Sequence, residues 1–107
     1  MSFARGTTPT LSIVFSEEKY PTLDLTRAQN VIVTVVSGLK KVSKTIDQLD
    51  VSERQIDVYL TQTDTLDFGK TAKVQANWLD PDGKRLATVV RDVPVGEQLY
   101  ERVMSNE

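Results

Sequence analysis

The chain reads as an all-β protein, an antiparallel immunoglobulin-like β-sandwich of about seven strands, on three grounds. Apolar and polar residues alternate in several short runs, turn residues recur about every dozen positions, and the only helical spacing of note lies at the C-terminal end. The region 55–95 is the clearest. Ile56, Val58 and Leu60 alternate with Asp57, Tyr59 and Thr61, and Val74, Ala76 and Trp78 alternate with Lys73, Gln75 and Asn77. Asp80-Pro81-Asp82-Gly83 then closes a β-turn: proline presets the backbone of the second position and glycine accepts the left-handed conformation that follows.

Taken in order, residues 1–9 lack periodicity, and Gly6 with Pro9 predicts an extended N-terminal arm. Leu11, Ile13 and Phe15 then face one way and Thr10, Ser12 and Val14 the other, as in a half-buried strand. The charged stretch from Glu17 to Thr22, with Pro21, predicts a surface loop. Asn30 to Ser37 is apolar on both faces, so it belongs in the middle of a sheet, away from an exposed edge. Ser37-Gly38 turns into a more polar strand, Leu39 to Thr45, with its lysines towards solvent. Asp50, Ser52 and Glu53 mark a turn before the strand that starts at Gln55.

Between Leu60 and Lys70, Thr63 is placed to cap one helical turn, with Leu66 in the core and Gly69 ending it, as a crossover between two sheets. Leu86 to Val90 is the hairpin partner after the turn. Arg91 to Gly96 is a last strand, expected at an edge because Pro94 has no amide to donate. Leu99, Tyr100, Val103 and Met104 share one face of a short helix, for which residues 97–107 have room.

At 107 residues, with 39% hydrophobic and 26% charged side chains, the chain is read as one domain, 1–107, made of the arm, the sandwich and the terminal segment. Thirteen Lys and Arg are interspersed with fifteen Asp and Glu for a net charge of −2, which provides no concentrated positive surface for nucleic acid. The apolar run from Val31 to Val36 is too short to cross a bilayer, so no membrane partner is expected. With no cysteine and no histidine, disulfides, thiolate metal sites and histidine-dependent triads are excluded. The carboxylates fall on turns and outward strand positions, where they are ordinary acids. No catalytic, cofactor-binding or metal-binding residue is assigned, and no cofactor is expected.

Three motif fragments fail on inspection. Gly69-Lys70-Thr71 lacks the earlier glycine of a phosphate loop, where Asp64 stands instead. Ser37-x-x-Lys40 lacks the helical setting and companion motifs of serine acylases. Asp80-Pro81-Asp82-Gly83 is followed by none of the later ligands of a calcium loop.

The residues RGTTPTL at 5–11, IDVYLTQTDTLDF at 56–68, KVQANWLDPDGKRLAT at 73–88 and VPVGEQL at 93–99 resemble a family of small proteins encoded in tail modules of bacteriophages and prophages of Gram-positive bacteria. The resemblance implies a non-enzymatic structural or assembly component of a phage tail or baseplate. Such a component is made in the bacterial host cytoplasm, is located in the virion tail and acts as a homo-oligomer among other tail and baseplate proteins. It brings no catalytic residues. Contact surfaces are expected at Arg5, Thr8 and Pro9 of the arm, at Val93 and Val95 of the last strand, and at Leu99, Tyr100, Val103 and Met104. The alternative is a host-surface carbohydrate-binding or adhesion module that uses exposed tyrosines, Tyr59 above all, as stacking platforms.

Overall fold

A computed structural model describes residues 2–88 and 90–97. It is an all-β sandwich. Its strands are β1 (Phe3–Ala4), β2 (Thr10–Val14), β3 (Asn30–Ser37), β4 (Lys40–Thr45), β5 (Leu49–Val51), β6 (Gln55–Tyr59), β7 (Thr71–Leu79), β8 (Arg85–Ala87) and β9 (Arg91–Gly96). One sheet runs β1-β9-β7-β3-β4, with β8 also on β7, and faces a second sheet ordered β2-β6-β5. Every strand pair is antiparallel except β1 with β9, which is parallel.

The alternation in the sequence maps onto the two faces. Val31, Val33 and Val35 of β3 are fully buried, while Ile32, Thr34 and Val36 are half-buried on the outer face. Strand β3 lies between β4 and β7, which meets the need of its β-branched residues for a place inside the sheet. From the smaller sheet Leu11, Ile56 and Val58 pack onto Val33, Val74, Ala76 and Trp78 in one core cluster. Each Val, Leu or Ile among them, when fully buried, contributes about 1.5–3 kcal/mol.

The turns follow their residues. Gly38 and Leu39 form a two-residue loop between paired Ser37 and Lys40, and Gly38 takes a φ of +59° at its first position. Ser37 is therefore the last residue of β3 and not part of the turn. It is buried, accepting from the Gly69 amide and donating to the Thr71 carbonyl, both at 2.8 Å. In the β7–β8 hairpin the Gly83 amide donates to the Asp80 carbonyl at 3.0 Å, and the Asp80 carboxylate accepts from the amides of Asp82 and Lys84.

Further expectations are corrected. The hairpin partner is shorter than Leu86 to Val90: β8 ends at Ala87 and β9 begins at Arg91 on the same edge of β7. Ala87 pairs with Asn77 and Arg91 with Val74, so the register against β7 shifts by one residue between the two strands, as at a β-bulge. Thr88 bridges it, donating its amide to the Ala76 carbonyl at 2.9 Å and accepting the Ala76 amide on its hydroxyl at 3.1 Å. Asp50, expected in a turn, lies in the middle of β5.

The crossover helix, α1 (Gln62–Leu66), is capped by Thr61 and not by Thr63. Thr61 and Asp64 satisfy one another's amides reciprocally, so the residue turned into the core is Thr65, fully buried, and Leu66 is half-buried. Lastly, β9 is not an edge, because the arm returns along it and Phe3 pairs with Val95. Pro94 is still accommodated: the Val95 amide points to the Lys70 carbonyl on the β7 side, so the missing Pro94 donor falls on the opposite side.

Candidate interaction surfaces

The arm is part of the fold. The Arg5 amide donates to the Gly96 carbonyl at 3.1 Å, and its guanidinium Nη1 donates to the Leu66 carbonyl at the end of α1 at 3.3 Å. The Thr65 hydroxyl donates to the Thr7 carbonyl at 2.8 Å, the Leu60 amide donates to the Pro9 carbonyl at 3.1 Å, and the Phe3 and Phe68 rings lie 6.0 Å apart. Three segments distant in sequence, Arg5 to Pro9, Thr61 to Leu66 and Val95-Gly96, thus meet at one junction. Lys44 of β4 adds an ion pair to Asp64 at 2.9 Å.

Of the residues expected at contact surfaces, Arg5 and Pro9 are half-buried in this junction, Val95 is in the core, and Val93 packs half-buried against the core. Thr8 is exposed. Leu99, Tyr100, Val103 and Met104, and the terminal helix expected there, lie outside the described residues. The apolar side chains that do project include Val14, 67% exposed, and Val90, 54% exposed.

On the outer face of the small sheet, Asp50 and Asp57 are directly opposed between β5 and β6. Gln55 Nε2 at 2.9 Å and the Ser12 hydroxyl at 2.7 Å both donate to Asp57 and hold its carboxyl below the usual value. The Tyr59 hydroxyl donates to Asp50, which raises the phenol above its ordinary 10.0. Asp47 is lowered in the same way, chiefly by the Thr45 hydroxyl. Asp57 thus ties neighbouring strands together and Asp47 binds the residue that caps its turn. Among the described residues no cluster of three or more Asp, Glu, His or Cys forms a candidate metal centre. Tyr59 is exposed, as its outward position predicts, but Tyr20 packs against Phe15 in the core and so adds no second ring to a platform there.

At the turn of the β7–β8 hairpin, a groove of about 460 Å³ opens between the segment 19–28 and residues 80–82. Trp78 lines it, only 4% exposed, with its ring edge-on to Phe15 at 5.2 Å and to Tyr20 at 6.4 Å. The segment is anchored at both ends: Arg54 donates to the carbonyls of Tyr20 and Pro21, and Asp24 caps a 3₁₀ turn, Leu25–Arg27, that buries Leu25 completely. The alternation places Trp78 on the core side correctly but gives no sign of this cover. The available signal was Asp24 followed by Leu25-Thr26, a capping residue before an apolar one.

No family model matches the chain, and no curated protein or solved structure is significantly similar to it.

Proposed function

We propose that this chain is a non-enzymatic assembly component of a phage tail or baseplate, virion-borne or prophage-encoded, which acts through contacts with other tail or baseplate proteins and with copies of itself. The observation that carries this reading is the junction. The arginine-glycine-threonine-threonine-proline segment, the threonine-glutamine-x-acid-threonine-leucine stretch and the valine-x-valine-glycine ending are three of the features that resemble the tail-module family. Arg5 to Leu66, Thr65 to Thr7 and Arg5 to Gly96 are hydrogen bonds between these same segments. Segments that brace one another have a physical reason to occur together, and this favours the resemblance over coincidence.

A braced domain suits repetitive assembly because its surfaces are presented in fixed relation to one another. Strand β4 is poorly suited to edge pairing, since Lys40, Lys41 and Lys44 lie along it. Contacts are therefore assigned to side-chain surfaces: the exposed Thr8, Val14 and Val90, and the apolar residues Leu99, Tyr100, Val103 and Met104. Size-exclusion chromatography with light scattering on the whole chain and on a version ending at Gly96 tests this. A discrete oligomer that reverts to monomer on truncation is expected; a strict monomer in both contradicts it.

A further inference from the structure

We propose that the groove beside Trp78 is a binding site for a neutral saccharide, with the Trp78 indole N–H as a hydrogen-bond donor to it. Nε1 of Trp78 is buried and has no hydrogen-bond partner among the described residues. Native interiors rarely leave such a donor unpaired, and each instance calls for an explanation. Here the same residue lines a groove whose volume of about 460 Å³ lies within the range of small-molecule sites.

The lining selects the chemistry. Tyr20 and Leu86 offer apolar surface for the carbon face of a sugar ring, while Asp24, Asp82 and Arg27 offer acceptors and donors of both signs. Hydroxyl groups donate and accept together, so a polyol can pair with carboxylate, guanidinium and indole at once. A strongly charged ligand would meet like charge somewhere on this rim, so the ligand is a neutral hexose or N-acetylhexosamine.

Nε1 is covered, so binding requires a side-chain shift at the groove, for which the Tyr20 ring, edge-on to Trp78 at 6.4 Å, is the candidate. Arg54 holds this loop by the main-chain carbonyls of Tyr20 and Pro21, so a turn of the Tyr20 ring gives up its edge contacts with Phe15 and Trp78 but not the anchor. Side-chain rearrangement of this size commonly accompanies binding. The inference is independent of the tail-assembly reading, since it involves neither the junction nor the terminal segment.

The chain has one tryptophan, so the single indole cross-peak in a ¹H–¹⁵N spectrum reports on Nε1 itself. The whole protein is titrated with glucose, galactose, N-acetylglucosamine and N-acetylgalactosamine. At least one of them is expected to move that peak saturably, and Arg27→Ala, a change at an exposed rim position, to weaken the binding by roughly tenfold or more through loss of a charged hydrogen bond. No saturable movement with any of the four sugars, or a smaller loss in Arg27→Ala, overturns the proposal.

Discussion

The buried hydroxyl of Thr65 donates to the main-chain carbonyl of Thr7, 58 residues away, and ties the crossover helix to the N-terminal arm. Replacing Thr65 with valine keeps the shape and leaves the Thr7 carbonyl unpaired. Urea denaturation should show a loss of about 1–3 kcal/mol. Thr65→Ser, which keeps the hydroxyl, should lose less than Thr65→Val.

Ser37 holds two main-chain groups together at the other side of this region. Its hydroxyl accepts from Gly69 and donates to Thr71, and it is 1% exposed. Ser37→Ala removes both bonds without adding bulk. A thermal melt should place it below the wild type by more than Thr34→Ala, whose hydroxyl faces Ser43 on an exposed surface.

Much of this fold was legible because its main signals are local. Val74, Ala76 and Trp78 alternate with polar residues, Val31 to Val36 form a β-branched run that suits the inside of a sheet, and Asp80 to Gly83 specify their turn residue by residue. The parallel pairing of Phe3 with Val95 was not legible, since two residues are too few to carry a period and their partner lies at the far end of the chain. Thr61 and Thr63 are both plausible caps. Thr61 prevails because Asp64 stands three positions on and can return the bond. The break at Thr88 was hidden because the residues from Leu86 to Val90 read as one continuous strand. The groove beside Trp78 depends on where residues 19–28 fold, which alternation does not encode.

Gly83 has a φ of +84°, a conformation that costs a side-chain-bearing residue roughly 1–2 kcal/mol. An added Cβ would meet nothing within 4 Å, so backbone strain alone should set the loss in Gly83→Ala. Chemical denaturation should show a decrease of about that size, with the native spectrum retained.

Stability should also fall in acid through Asp64. Burial by itself would raise this carboxyl, but the Thr61 amide, the Lys44 ammonium and the Thr61 hydroxyl outweigh it and hold the group below its ordinary 3.8. Because the folded value is the lower one, the stabilisation is present above about pH 4 and is lost as pH falls through the folded value. Asp47 and Asp57 are lowered as well and act in the same direction. Urea midpoints measured from about pH 6 down to about pH 2.5 should decline less steeply in Asp64→Asn than in the wild type.

Amide hydrogen exchange tests the central claim most directly, namely that the arm, the crossover helix and the last strand close into one braced unit. The Arg5 amide, bonded to Gly96, should be protected to a degree approaching that of Val33 in the middle of β3, and Thr65→Val should lower it selectively. An Arg5 amide that exchanges at the rate of an unstructured chain while Val33 stays protected would contradict the account.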